Sequence, residues 1–184
     1  MIAPHECEHN PPDGGSLAPP PGWRQTGDVG DAEIPIRRAA AGDAGPVARL
    51  LHDFNTEFAE ATPGVAALTE IVAGMLASGE MVVLLAGEGP DGLAALRFRT
   101  AIWTGRPEAH LQELYVAPAL RGRGIGRALL EASMRASREA GATGIDLNTG
   151  ATDTAARALY ESAGFTNREG SPDGPAMLFY EREL

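Results

Sequence analysis

Residues 113–130 read ELYVAPALRGRGIGRALL, and this stretch decides how the chain folds. It begins with the end of an apolar strand, which Pro118 terminates because proline has no backbone donor. A turn with glycine at 122, 124 and 126 follows, and from 124 to 140 the apolar residues recur on one helix face. A further strand at 144–148 completes a βαβ unit, which predicts a parallel strand pair.

Hydrophobic periodicity outside this unit predicts a mixed α/β fold. Further strands are expected at 34–38, 81–86, 93–99, 109–116, from 165 onward and at 177–183. Helices are expected at about 44–58 with Asp43 as the N-cap, at about 68–78 before Gly79, at 124–140 and at 154–163. We therefore expect a mostly antiparallel sheet of six to seven strands, flanked by about four helices.

Composition and charge restrict the class of protein. The 184 residues are 43% hydrophobic and 22% charged, as in globular domains, and no apolar run is long enough to span a membrane. The net charge of −10 argues against nucleic-acid and membrane partners. Residues 1–33 are acidic and rich in proline and glycine, so we expect a disordered leader there and one folded domain at 34–184. The expected compartment is cytoplasmic, for a monomer or homodimer without a bound metal.

The glycine turn is also a cationic segment in an acidic protein. Five arginines fall within residues 121–138 beside a single acid, Glu131. Glycines at a helix start let the backbone approach an anion such as pyrophosphate. A Rossmann fingerprint would need glycine where Arg127 stands, and the Gly-Lys-Ser/Thr of an NTPase loop is absent. A glycine-rich connection with solvated arginines is the remaining alternative for the turn taken alone.

Two motifs in register resemble those of one family. Residues 113–130, with the core Arg121-Gly122-Arg123-Gly124-Ile125-Gly126, closely resemble motif A of the GNAT superfamily of N-acetyltransferases. Residues 155–165, AARALYESAGF, are similar to its motif B. The resemblance covers about 111–165 and implies the GNAT fold, with a parallel strand pair that splays apart to admit acetyl-CoA.

The resemblance also implies which residues bind that cosubstrate. Strand residues would bond the pantetheine arm, the turn would surround the pyrophosphate, and Arg127 would start the supporting helix. The implied contacts are Leu114, Tyr115, Val116, Arg121, Gly122, Arg123, Gly124, Ile125, Gly126, Arg127 and Asn148. Asp153 replaces the asparagine common in the family, so helix capping is its plainer role.

Acetyl transfer needs a neutral amine and a proton for the departing thiolate. By resemblance, Tyr160 matches a tyrosine that gives this proton, although an aromatic packed on the core would look the same. Glu113 on the cofactor strand is a candidate base or a ligand for a cationic substrate. His110 on the same strand is a third titratable group. The simpler interpretation is a histidine that is exposed or that has its hydrogen bonds satisfied within the fold.

The acceptor is expected to be a primary amine on a small molecule or a protein. Asp53, Asn55 and Glu57 could recognise a cationic amine, or could form a solvated helix face. Trp103 could form a wall of the acceptor pocket or cover the core. The alternative to an enzyme is a non-catalytic acetyl-CoA-binding module, which the retained Tyr160 disfavours.

Overall fold

The computed structural model describes residues 34–182, which form one mixed sheet with helices on both faces. The strands follow chain order across the sheet and are β1 (Ile36–Arg38), β2 (Val82–Ala86), β3 (Gly92–Thr100), β4 (Pro107–Val116) and β5 (Ile145–Leu147). The first four pair antiparallel, and β5 lies parallel to β4. The mixed α/β fold class and the parallel pair are therefore confirmed.

Four α-helices cover the sheet: α1 (Ala44–Glu57), α2 (Val65–Ser78), α3 (Ile125–Glu139) and α4 (Thr154–Ser162). Helices α1 and α2 pack through residues such as Val47 and Val72 against Val83 and Leu85. Residues of α3 and α4 pack on the opposite face, where Leu84 and its neighbours lie. Strand β2 is buried along its whole length because successive side chains enter these two different cores.

A β-bulge interrupts the pairing of β3 with β4. Leu96 pairs with Leu111 and Ala95 pairs with Glu113, so Gln112 is an extra residue in β4. One extra residue reverses which face the following side chains occupy. Leu111 accordingly joins the core under α3, whereas Tyr115 joins the core under α1 and α2. Glu113, two residues before Tyr115, lies on the α1 face.

The predicted number of strands was too high for the part of the chain described here. The strands expected from 165 and over 177–183 do not form; one isolated bridge joins Arg168 to Ala176. The side chains of Met177, Leu178, Phe179 and Tyr180 are exposed. An apolar run predicts a strand only if a neighbouring strand pairs with its backbone, and within the described residues no strand pairs with this segment.

Two smaller expectations concern the N-terminal part of the chain and its helices. Asp43 stands at the N-cap of α1 but makes no capping hydrogen bond; its carboxylate accepts from Ala40 N and pairs with Arg37 at 2.7 Å. The leader expected at residues 1–33 lies outside the described residues. Among residues 34–182, no helix has the length and apolar character needed to cross a bilayer.

We predict that Gly92→Ala destabilises the fold by about 1–3 kcal/mol, the usual cost of overpacking a core. A Cβ on Gly92 would lie 2.6 Å from the carbonyl oxygen of Tyr115, in the paired backbone of β4. Denaturant unfolding measures the change. Gly74→Ala is the control, because Gly74 lies on the exposed side of α2 and a Cβ there meets no atom within 4 Å. This substitution should raise the free energy of unfolding by about 0.5–1 kcal/mol. Equal stability of the Gly92→Ala and wild-type proteins would contradict the prediction.

Candidate active site

The site lies where β4 and β5 separate. Their parallel pairing comprises three residue pairs and ends at Leu111–Leu147. Beyond that point β4 continues to Val116, while the chain after β5 turns away through Asn148. The predicted splayed strand pair is thus present, and its gap leaves the backbone of residues 112–116 without a β5 partner.

A cleft of about 1020 Å³ occupies this gap and extends to both faces of the sheet. On the α1 face it is lined by Phe54, Glu57 and Glu113, and on the other face by the start of α3 and by Tyr160. Ten of the eleven predicted cofactor residues line it, all except Arg123. Both predicted catalytic residues, Glu113 and Tyr160, line the same cleft.

The glycine turn forms one end of the cleft. Gly122 and Gly124 have φ angles of 75° and 84°, a left-handed conformation that disfavours other residues. Gly124 is the N-cap of α3 and supplies no side-chain acceptor, so the first amides of the helix remain available to a ligand. Arg127 donates to Ser162 Oγ at 3.2 Å and so joins α3 to α4.

Arg121 connects the turn to both β4 and α1. Its Nε donates to the carbonyl of Val116 at 2.9 Å, and its two terminal nitrogens bind the carboxylate of Glu57 at 2.7 Å each. The guanidinium also lies 5.7 Å from the ring centre of Tyr115. Bidentate pairing is the strongest common arrangement of arginine with a carboxylate. The pKa of Glu57 is accordingly lowered, chiefly by its hydrogen bond to Arg121.

Glu113 is half-buried, and burial raises the pKa of its carboxyl group. A smaller opposing effect comes from the charge of His110. Sequence alternation alone did not determine the face that Glu113 occupies. The bulge at Gln112 determines it, because it places Glu113 and Tyr115 on the face opposite Leu111.

Tyr160 lies across the gap from Glu113, on α4. Its ring packs against Phe165 with 6.0 Å between centroids, so it also contributes to the core. Burial raises the pKa of its hydroxyl to about 12, with further contributions from the charges of Asp153 and Glu113. The hydroxyl is therefore protonated at neutral pH and has a proton to donate.

The other candidates have mixed outcomes. Asn148 lines the cleft, and Asp153 caps α4 by accepting from Ala156 N at 2.9 Å. Trp103 is 96% exposed and does not line the cleft, so both roles considered for it were wrong. Several apolar lining residues were not predicted from the sequence; they include Phe54, Phe58, Leu120 and Leu159. The helical spacing of apolar residues in and after α1 was the only signal for Phe54 and Phe58.

The family follows from a match over most of this region. The sequence model of the family described as Acetyltransferase (GNAT) family matches residues 48–165, which is more than half of the chain. The chain belongs to the GNAT acetyltransferase family. The matched residues include all those that line the cleft.

Known proteins similar to this GNAT chain agree with that assignment. A candidate acetyltransferase from Arthrobacter sp. FB24 is 47% identical, with a TM-score of 0.76 over 86% of this chain and all of its own. The mycothiol acetyltransferase of Beutenbergia cavernae is 38% identical over 79 residues. That match spans 41% of this chain but only 26% of the relative, about a quarter of its length.

A more distant structure adds information on the fold alone. A Clostridium acetobutylicum protein, described as a predicted acetyltransferase with acetyl-CoA, is 20% identical and has a TM-score of 0.62. The alignment covers 75% of this chain and 93% of that one.

We predict that Glu113→Gln stabilises the free protein at pH 7–8. Because the folded-state pKa of Glu113 is raised, its ionised carboxylate destabilises the fold at pH values above that pKa. The destabilisation disappears below the ordinary pKa near 4.5, where the group is protonated in both the folded and the unfolded state. Denaturant unfolding at several pH values should show the gain shrinking as the pH falls.

Glu57→Gln is the control of opposite sign. Because the folded-state pKa of Glu57 is lowered, its ionised form stabilises the fold at pH values above the ordinary pKa of a glutamate. This stabilisation is lost as the pH falls through the folded-state pKa. Glu57→Gln should therefore be less stable than wild type at pH 7. A loss of stability in both variants at pH 7 would contradict the assignment for Glu113.

Proposed function

We propose that this GNAT protein transfers the acetyl group of acetyl-CoA to a primary amine by direct attack in a ternary complex. The observation that supports the proposal is the cleft itself. It crosses the sheet and brings together the turn at 121–126, the carboxylate of Glu113 and the hydroxyl of Tyr160. Two substrates could therefore approach the same gap from opposite faces.

The residues present fit acetyl-CoA, which when bound would supply an activated acetyl thioester. The amides at the start of α3 and the nearby arginines suit its phosphates. A Cβ at Gly122 meets no atom within 4 Å, so the turn has open space above it. The backbone of Leu114, Tyr115 and Val116 faces a gap without a strand partner, where it can bond an extended amide-containing arm.

The proposed chemistry assigns one role to each catalytic residue. Glu113 accepts a proton from the acceptor ammonium, directly or through water, so that the nitrogen can attack the acetyl carbon. A nitrogen–carbon bond forms and the carbon–sulfur bond breaks. Tyr160 donates its proton to the departing sulfur, and the proton lost from the new amide nitrogen restores it. An N–H of the β4 backbone near Val116 would polarise the carbonyl.

The acceptor side of the cleft combines apolar side chains with two acidic groups, Glu57 and Glu113. Phe54 and Phe58 stack edge to face at 5.2 Å beside Glu57, and Phe58 is exposed. This arrangement suits an amine carried on an apolar or aromatic group of a small molecule or a protein.

The cytoplasmic compartment and a monomeric or homodimeric state remain predictions from the sequence.

We predict that Tyr160→Phe lowers kcat by about 100-fold or more, because general acid catalysis contributes roughly that much. The affinity for acetyl-CoA should change little, since only a hydroxyl is removed. Thiol release with a panel of spermidine, kanamycin and an amino-terminal peptide measures turnover, and calorimetry measures binding. Tyr180→Phe is the control, because Tyr180 is 84% exposed and lies outside the cleft.

Unchanged turnover in Tyr160→Phe would contradict the acid role. Tight binding of acetyl-CoA by the wild-type protein, without turnover on any member of the panel, would favour the non-catalytic binding module.

We predict that Gly124→Val abolishes measurable acetyl-CoA binding. Valine is strained at φ 84°, and a Cβ there would lie 3.7 Å from Ile34 Cδ1, so the turn must change its conformation. Gly141→Val is the matched control, because Gly141 has φ 77° and follows the other end of α3, away from the cleft. Calorimetry should show near-normal affinity for the folded Gly141→Val protein. Equal loss of affinity in the two variants would show that strain, not the turn, is responsible.

A further inference from the structure

His110 and Asp146 form a side-chain pair beside the proposed base. His110 lies on β4 opposite Asp146 of the parallel strand β5. Its Nδ1 is hydrogen-bonded to Asp146 Oδ1. The other carboxylate oxygen of Asp146 accepts from Arg99 at 2.6 Å, and Arg99 also donates to Glu108 at 3.2 Å. Three neighbouring strands thus hold one imidazole in a fixed position.

This hydrogen bond determines the tautomer of the His110 ring. A carboxylate can only accept hydrogen bonds, so Nδ1 of His110 carries the proton that is donated to Asp146. Nε2 of the neutral ring then has a free lone pair and can accept a proton. The hydrogen bond to Asp146 also orients the ring, as in other carboxylate–histidine pairs.

The bulge at Gln112 places His110 next to Glu113. His110 precedes the extra residue and Glu113 follows it, so both side chains lie on the face opposite Leu111 and Leu114. The influence of His110 on the pKa of Glu113 agrees with their proximity. Both side chains are partly exposed: Glu113 lines the cleft, and the side chain of His110 is 28% exposed. His110 does not line the cleft, so it offers the proton of Glu113 a route to solvent outside it.

The proposed reaction must release one proton per turnover. An ammonium acceptor and acetyl-CoA give an amide, a thiol and one H⁺, and Tyr160 accounts only for the proton that reaches sulfur. Glu113 must discharge the other before the next turnover. A second hollow of about 230 Å³, lined by Arg99, Glu108 and Asp146, opens beside the pair and can admit water.

We propose that His110, held by Asp146 and Arg99, relays the proton from Glu113 to solvent. The inference rests on the proposed function, because it assumes that Glu113 takes a proton from the acceptor. His110 is a positioning and relay residue, since it acts through Glu113 and need not touch the substrate. The charged groups around it are Glu108 and Glu113 of β4, Arg97 and Arg99 of β3, and Asp146 of β5.

A tautomer measurement tests the geometry without any acceptor. The ¹⁵N chemical shifts of His110 in the free protein should show the Nδ1–H tautomer, with the Nε2–H tautomer gaining population in Asp146→Ala. His52, whose Nδ1 lies 3.2 Å from Thr62 Oγ1 on another element, serves as the internal reference. A predominant Nε2–H tautomer of His110 in the wild-type protein would overturn the proposal.

A kinetic measurement tests the relay itself. We expect His110→Ala to lower kcat about tenfold, less than the loss of a direct base, with little change in KM. Added imidazole should restore much of this kcat, because a mobile base can replace the missing ring. His110→Gln should lower kcat similarly, and His52→Ala should retain normal kcat. Thermal unfolding checks that each variant is folded.

The outcomes separate the two levels of inference. Normal kcat in folded His110→Ala or His110→Gln overturns the relay and leaves the acetyltransferase proposal intact. A lowered kcat that imidazole does not restore indicates a structural role and also overturns the relay. Absence of acetyl transfer by the wild-type protein to spermidine, kanamycin and the peptide counts against the proposed function instead, while the tautomer still decides the geometry of His110.

Discussion

The short pairing of β4 with β5 is the constraint on which the rest of the site depends. Three residue pairs hold β5 in the sheet, and pairing stops where Gln112 is inserted into β4. Continuous pairing would have closed the gap with interstrand hydrogen bonds. Because pairing stops, β4 presents backbone groups to a cleft and the cleft reaches both faces. The same inserted residue places Glu113 opposite the side of the sheet that carries α3.

Arg121 is the centre of the ion pairing in the free site. Arg121 satisfies Val116 and Glu57 at once, and these are two groups that either substrate could contact. A ligand that bonds the Val116 carbonyl must therefore displace or share the Nε of Arg121. Such an exchange changes the free energy little when the new contact replaces the old one, because the large penalty arises only when a charged group is left without a partner. Arg121 can then remain near an incoming phosphate.

Local sequence signals predicted most of the fold and much of the site. The glycine turn, the helix after it and the capping of α4 by Asp153 depend on residues close in sequence, and all are present. The Arg121–Glu57 pair joins residues 64 positions apart, and His110 meets Asp146 36 positions away. Such contacts depend on register, which periodicity does not specify. Residues 177–180 show the converse, because apolar character alone did not supply a pairing partner.

The two proposed catalytic groups lie on parts of the domain that are weakly joined. Glu113 belongs to a strand paired along its length with β3, whereas Tyr160 belongs to α4, which follows the three-residue strand β5. Small opening motions between β4 and β5 would change the separation of these groups without unfolding either part. A molecule that spans the gap would oppose those motions. Cosubstrate binding would then also set the alignment of acid and base.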